Sequence, residues 1–371
     1  MADVATDPPL VSIALQGGGA HGAFTWGVLD RLLELMEEGH FRIAALSGTS
    51  AGAMNAGVCA AALADGPAAA RAALELFWTR ASFVAWQLGN PYMVLPYNAA
   101  GRKWNFDNHP LSLSLNMTQS MWSPYCRFEP WSPFSLPSLT DVVAEVIGDF
   151  DWLNAAGDGT PSLYVAATDV GSGTRRVFGP GELSADVLLA SACLPNLERA
   201  VEIDGRFYWD GGYTANPALK PLIKHASDLI YVQLNPAQWK DVPPRTPACI
   251  ADRLNEITCN ASLVSEISGI LAINKALTKV GPEALPQWKF VNLHPISDDC
   301  FMATLGLVSK FNLQMAYLQD LRKAGLEAGD RFVRTCLGRI GRGYAVNVHE
   351  TTIKPFYDGC PETGAFPGEG A

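Results

Sequence analysis

Near its N-terminus the chain repeats one pattern twice, and that repetition limits the fold more than any other feature. "LVSIALQ" (10–16) is a short apolar run with β-branched residues, and it ends in three glycines, Gly17, Gly18 and Gly19. "FRIAALS" (41–47) is a second apolar run and ends in Gly48-Thr49-Ser50-Ala51-Gly52. Both are short and bounded by turn residues, so both read as buried strands. Helical spacing follows each. Phe24, Val28, Leu32 and Leu35 recur through residues 24–38, Gly39 stops them, and an Ala/Gly-rich stretch covers about 51–64. Strand, helix, strand, helix predicts right-handed crossovers and an α/β fold with a mostly parallel central sheet.

The pattern breaks and then resumes. Residues at about 80–160 hold five of the ten tryptophans and many prolines, with weak helical periodicity until "LTDVVAEVIGDF". This stretch reads as an aromatic-rich insertion, either a wall or lid of a site or a loop-rich packed subdomain. "SLYVAATDV" (162–170) and "TRRVF" (174–178) read as a hairpin, and "VEIDGRFYWDGG" (201–212) as a second hairpin turning at Asp204-Gly205. "DLIYVQLNP" (228–236) and "KFVNLHPI" (289–296) are further strands, with helical segments near 248–279 and 303–340. The expected organisation is a leader at 1–9, one domain at 10–350 and a tail at 351–371. The region from about 236 to 350 is where a dimer surface or second specificity wall is expected, without a diagnostic motif; oligomeric state stays open.

Charge narrows the function. A net charge of −10 argues against a nucleic-acid partner, which selects basic faces. It also disfavours electrostatic docking on anionic lipid, so any peripheral membrane contact is expected to be apolar. The start "MADVATDPPL" has no basic region followed by an apolar core, and no run of about 18 uninterrupted apolar residues occurs. The eight cysteines are scattered without a C-x-x-C pair, so neither a zinc site nor a disulfide framework is expected. The expectation is a cytoplasmic protein with reduced cysteines and neither metal nor cofactor.

"GGGAHG" (17–22) matches G-x-G-x-x-G between a strand and a helix, the context of a dinucleotide fingerprint. That reading requires an acid at the end of the second strand to hold a ribose. Here the second strand ends in "ALSGTSAG", and the nearest acids, Glu37 and Glu38, end the preceding helix. The dinucleotide reading therefore fails. A glycine loop at a helix N-terminus also offers amide N–H groups to an anion such as the oxyanion of ester hydrolysis, where each donor is worth roughly 3–4 kcal/mol. Gly48-Thr49-Ser50-Ala51-Gly52 has the G-x-S-x-G spacing and the strand–turn–helix setting of a nucleophile elbow, with Gly48 and Gly52 relieving crowding. Small residues for close packing would give the same composition, but the glycine loop one βα unit upstream favours the functional reading.

The base for Ser50 is not marked by any local motif. His40 ends a helix, His109 lies in the insertion, and His225, His294 and His349 are near strand ends or the tail. His21 sits inside the glycine loop, and His294 best suits the order Ser, acid, His of α/β-hydrolases. Asp210 is the other candidate: it ends a strand before Gly211 and Gly212, and a carboxylate acts as base where desolvation raises its pKa. Spacing alone does not separate it from the turn residues Asp204 and Asp358.

Together these residues resemble the patatin-like phospholipases. "GGGAHG" resembles that family's G-G-G-x-[R/K]-G loop, "GTSAG" its serine elbow, "ASACLP" (190–195) its A-S-x-x-x-P segment and "DGG" (210–212) its D-G-[G/A]. All four occur in order over roughly residues 10–235. The resemblance implies a three-layer α/β/α fold and hydrolysis of lipid or phospholipid acyl esters without metal. It implies a Ser50–Asp210 dyad, with Gly17, Gly18, Gly19 and Ala51 forming an oxyanion hole and Pro195 supporting the site. His21 departs from the pattern, which has Arg or Lys there, and so becomes a candidate modulator whose titration lies near neutrality. Acyl transfer, hydrolysis of another ester such as a storage polyester, and a non-catalytic lipid-binding or effector scaffold are the alternatives.

Overall fold

The structure is a computed structural model that describes residues 7–87, 90, 93, 136–155, 160–195, 197–237 and 243–342. Period-two alternation sorts the strand side chains onto two faces. In β1 (Leu10–Leu15), Val11, Ile13 and Leu15 enter one core, while Ala14 enters the other. In β7 (Asp228–Val232), Ile230 and Val232 join the first core, and Leu229 and Tyr231 the second. Strands buried on both faces need a layer of helices on each side, so the architecture is three-layered.

The remaining strands are β2 (Arg42–Thr49), β3 (Ser162–Asp169), β4 (Arg175–Phe178), β5 (Val201–Ile203), β6 (Arg206–Asp210) and β8 (Asn292–Ile296). The order is β5-β6-β3-β2-β1-β7-β8, with β4 also paired to β3. β3, β2, β1, β7 and β8 run parallel to one another along this row, and β4, β5 and β6 pair antiparallel. One face carries α1 (Gly22–Glu37), α2 (Ala51–Ala62), α3 (Pro67–Gln87), α4 (Leu136–Val146), α5 (Asp151–Ala155) and α6 (Ala185–Ala192). α7 (Pro247–Val280) covers the other through Leu263, Ile267, Ile270 and Leu271. α8 (Asp299–Met302) is a single turn, and α9 (Met315–Thr335) returns to pack along α1. There Arg322 bonds Asp30 at 2.7 Å and lies 4.3 Å over the Trp26 ring.

Two expectations need correction. The helix anticipated over 303–340 is broken: a 3-10 turn, Leu307–Phe311, precedes α9. Cys300 is disulfide-bonded, whereas Cys59, Cys193, Cys249, Cys259 and Cys336 are free thiols. Proximity in space, which residue spacing does not encode, decides such a bond. Residues 80–87 of the anticipated insertion continue α3, and 136–155 contain α4 and α5. Most of its aromatic centre, the leader to residue 6 and the tail lie outside the described residues. By length and composition Cys249–Val280 could cross a bilayer, at a mean hydropathy of 1.2. Yet one face of it is packed against the sheet, as a core helix would be.

Candidate active site

The two repeated strand-to-helix turns lie side by side because β1 and β2 are parallel neighbours, with Leu15 opposite Gly48. Both turns therefore emerge at the carboxyl edge of the sheet, where open α/β sheets place their ligands. At the end of β2, Ser50 has φ 54° and ψ −128°, a backbone conformation that costs a non-glycine residue about 1–3 kcal/mol. Its surroundings hold it there. The Ser50 N–H donates to Ser191 Oγ at 2.9 Å, and the Ser191 hydroxyl donates to the Ala166 carbonyl at 2.6 Å. A methyl group at Gly52 would lie 2.2 Å from the Leu15 carbonyl oxygen, so only glycine lets the elbow approach β1.

The route of Asp210 to Ser50 follows from strand pairing. β2 and β4 both pair with Val165 and Ala166, so they occupy opposite edges of β3. β4 and β6 both pair with Ala167 and Thr168, so β6 lies on the edge used by β2. β2 stops at Thr49, opposite Ala166, and Asp210 takes the next place, opposite Ala167. A residue 160 positions away thus lands beside the serine without a long loop.

Asp210 is 4% exposed. Burial pushes its carboxyl up, while the Gly212 N–H at 2.7 Å, the Ser50 hydroxyl and the positive charge of Lys310 pull it back, leaving it at about 6. A carboxylate so placed is mostly ionised at neutral pH yet more basic than an ordinary aspartate. The Ser50 hydroxyl is close enough to favour its charged form.

The glycine loop faces the same point. Gly19 has φ 57°, and its α-carbon packs so closely on the Lys310 carbonyl that a methyl there would lie 2.5 Å away. Of the four backbone donors named from the sequence, the Gly17 amide is occupied by Asn216 Oδ1 at 2.7 Å. The Gly18, Gly19 and Ala51 amides have no protein acceptor among the described residues. Behind the loop, Gln16 Oε1 accepts the Leu234 and Asn235 amides at 2.7 and 2.9 Å, and its Nε2 donates to Asn260 Oδ1 at 2.9 Å. This buried network ties the loop to β7 and α7. Gly17, Gly18, Gly19, Ser50, Ala51 and Asp210 all line one cavity of about 290 Å³.

The histidines fall elsewhere. His21 is buried, and its Nε2 lies 2.8 Å from Ser309 Oγ; burial, then the charge of Lys310, lower its pKa well below the usual value. It is a neutral brace between the glycine loop and the 3-10 turn. His294 is paired with Asp228 at 2.8 Å near the amino edge of β7, at the opposite end of the sheet from Ser50. His225 contacts the Tyr164 hydroxyl at 2.9 Å, and His40 lies 3.3 Å from Glu38. His109 and His349 are outside the described residues. Pro195 follows Cys193, whose carbonyl accepts the Asp210 N–H at 2.7 Å. Among the described residues no group of three His, Cys, Asp or Glu could hold a metal ion.

Sequence reasoning did not single out Ser191, Asn216 or Lys310. Ser191 lay inside the quoted "ASACLP" segment, so a signal existed there. Asn216 and Lys310 are single polar residues in unremarkable contexts.

The fold and its carboxyl-edge cavity define a three-layer α/β/α protein with a serine on a strained strand-to-helix turn. The chain belongs to the patatin-like phospholipase family, whose model matches residues 13–223. That membership supports a lipid acyl-ester hydrolase. No curated protein matches the chain. Among solved structures it is similar to VipD from Legionella pneumophila, at 16% identity and a TM-score of 0.44 over 91% of this chain and 68% of that one. The type III effector protein ExoU is similar at 16% identity and a TM-score of 0.35, over 89% of this chain and 53% of that one. In a complex of full-length SpcU with full-length ExoU from the type III secretion system of Pseudomonas aeruginosa, the figures are 18% identity and a TM-score of 0.25. There the match covers 76% of this chain and 60% of that one. The chain thus spans about half to two thirds of these proteins.

Proposed function

We propose that this protein is a serine acyl hydrolase of lipid esters, with Ser50 as nucleophile and Asp210 as its general base. The observation that carries this reading is a buried carboxylate, with a pKa of about 6, that shares the cavity with Ser50 and interacts with its hydroxyl. Asp210 takes the Ser50 proton as the oxygen attacks the ester carbonyl, and the tetrahedral oxyanion forms against the unoccupied Gly18, Gly19 and Ala51 amides. The protonated Asp210 then delivers that proton to the leaving alkoxide, giving the alcohol or lysolipid and an acyl-Ser50. Water, deprotonated by Asp210, cleaves the acyl-enzyme; the proton returns to Ser50 and a fatty acid leaves.

Two features favour a lipid substrate. Phe77, Trp78, Phe311 and Leu313 line the cavity beside Ser50 and suit an acyl chain. Ile250, Leu254 and Ile257 are exposed on one face of α7, the helix that also lends Asn255 and Thr258 to the cavity. These apolar side chains favour peripheral contact with a membrane through the cavity mouth.

A fluorophosphonate probe tests the nucleophile: it should label wild-type protein and leave Ser50→Ala unlabelled. Lipid turnover in ¹⁸O-water should place the label in released fatty acid. Label-free acyl product carried by a second alcohol would instead assign acyl transfer. Equal labelling of both proteins would leave a non-catalytic scaffold.

A further inference from the structure

At the amino edge of the sheet, at the opposite end of the strands from Ser50, three chemistry-bearing side chains meet. Asp228 opens β7, His294 sits in the neighbouring β8, and Cys336 caps the end of α9. All three lie beyond the residues matched by the family model.

Alternation along the strands puts them on one face. Asp228 shares its side of β7 with Ile230 and Val232, which belong to the same core as Phe332 of α9. His294 shares its side of β8 with Ile296, from that core as well. His294 Nε2 is committed to Asp228 Oδ1 at 2.8 Å, and the Asn292 side-chain amide donates to the same oxygen at 3.0 Å. The Gly341 N–H donates to Asp228 Oδ2 at 3.1 Å. The carboxylate is thereby fixed, and Nδ1 is the imidazole nitrogen left for another partner.

Packing brings Cys336 to that imidazole. The Phe332 ring crosses the His294 ring at 86°, with ring centres 6.4 Å apart. Cys336 follows Phe332 by four residues and bonds its carbonyl through the Cys336 N–H at 2.8 Å, so both side chains lie on one face of the helix end. Residues 332 to 341 are therefore anchored to the pair twice, by Phe332 on His294 and by Gly341 on Asp228. The Thr335 hydroxyl donates to Cys336 Sγ at 3.5 Å.

This neighbourhood separates Cys336 from other free thiols of the chain. Burial pushes Cys59 and Cys193 up to about 12, and it raises Cys259 as well. Burial also acts on Cys336, but His294, the Thr335 hydroxyl and the positive charge of Arg339 bring it below its ordinary value. His294 is raised in turn, with burial opposing and Asp228 and Cys336 prevailing. A further titratable neighbour, Tyr231 of β7, is kept neutral by burial. Cys336 is only half-buried, so the sulfur is backed by a charged pair yet within reach of solvent. Reactive cysteines occupy such partly exposed, electropositive settings.

We propose that Cys336 is an oxidation site for hydroperoxides, with His294 as its proton partner and Asp228 as the residue that positions the imidazole. The Cys336 thiolate attacks the terminal oxygen of the peroxide, and an S–O bond forms as the O–O bond breaks. Sulfur is oxidised to the sulfenic acid and the peroxide is reduced. The departing hydroxide or alkoxide takes the proton of the His294 imidazolium and leaves as water or alcohol. The site lies apart from the Ser50 cavity and is independent of the hydrolase reading.

The test uses the full-length protein, with each cysteine peptide read by mass spectrometry. Iodoacetamide measures the reaction rate at Cys336 against pH, in folded protein and in urea. The folded midpoint should lie at least about one pH unit below the unfolded one, the scale on which neighbouring charge lowers a thiol. Hydrogen peroxide with dimedone at about pH 6.5 should give the sulfenic acid adduct at Cys336 and none at Cys59 or Cys193. His294→Asn should move the alkylation midpoint up to about the unfolded value. Because that change disturbs a buried pair, exposed Arg339 supplies a second variant: Arg339→Gln should raise the midpoint by about 0.3 pH unit, the scale of one exposed charge. A folded midpoint at or above the unfolded one overturns the proposal. So does a missing dimedone adduct at a Cys336 that alkylates rapidly, or a midpoint that neither variant moves.

Discussion

Two buried aspartates sit at opposite edges of one sheet, and they have been driven in opposite directions. Asp210, at the carboxyl edge, meets one amide, one hydroxyl and a cation at a distance, and burial dominates, so its pKa rises to about 6. Asp228, at the amino edge, is also raised by burial, but bonds from His294, the Gly341 amide and Asn292 outweigh that and hold it below the usual carboxylate range. His294 is correspondingly raised: burial lowers it, and the bonds to Asp228 and Cys336 more than compensate. Asp228 is a satisfied member of an ion pair with nothing left to accept. Asp210 is under-satisfied and aimed at a hydroxyl. Partner count together with burial separates a structural carboxylate from one suited to proton transfer.

The largest expected contrast is between Asp210→Asn and Asp228→Asn. Asp210→Asn should lower kcat on a soluble ester by about a thousandfold or more, as losing one member of a catalytic unit does, with circular dichroism unchanged. Asp228→Asn leaves a buried His294 without its counter-charge and should cost about 3 kcal/mol in chemical denaturation, while turnover per folded molecule stays within a few-fold. If Asp228→Asn removed turnover from fully folded protein, the division between the two aspartates would be wrong.

A smaller contrast lies in stability against pH. The raised pKa of Asp210 means the fold prefers its neutral form, so its contribution is present below the ordinary value near 3.8 and is lost as pH rises through about 6. Asp210→Asn should therefore melt higher than wild type at pH 7.5, with the gap closing toward pH 4. The Asp228–His294 pair behaves differently. The lowered Asp228 stabilises above about 3.8 and loses that as pH falls through its folded pKa. The raised His294 stabilises below about 6.5 and loses that as pH rises through its folded pKa. Their joint contribution is greatest between these limits, and Asp228→Asn should lose most stability there.

The smallest contrast is positional. Ser191→Ala removes the acceptor that holds the Ser50 amide and should lower kcat by about tenfold with little change in KM, on the scale of a buried hydrogen bond. A change confined to KM would mean Ser191 contacts substrate rather than the elbow.

The repeated strand–glycine–helix pattern was enough to read the parallel core and both turns, because local composition and period determine them. The mostly parallel three-layer fold inferred from the resemblance is the observed one. Ser50 was visible by its glycine flanks, whereas Asp210 was one of several aspartates before glycine until the family resemblance singled it out. Their meeting was not visible in the residues themselves, since it depends on β6 taking the edge of β3 that β2 leaves at Thr49. The same holds for the Gly17 amide, which is one of three consecutive glycines but is taken by Asn216 from far along the chain. Lys310 was hidden for a further reason. Its segment carries helical spacing, and only packing against Gly19 and His21 breaks that helix into a 3-10 turn that delivers the cation.

The central claim, that a carboxylate and not a histidine takes the serine proton, is tested most directly by the pH profile of kcat/KM on a soluble ester, in wild type and His21→Gln. Activity should rise through an acidic limb near pH 6, where Asp210 ionises, and the limb should stay in place in His21→Gln because burial keeps His21 neutral throughout. A limb that vanishes or moves by more than about one pH unit in His21→Gln would contradict the account and return the base to the glycine loop.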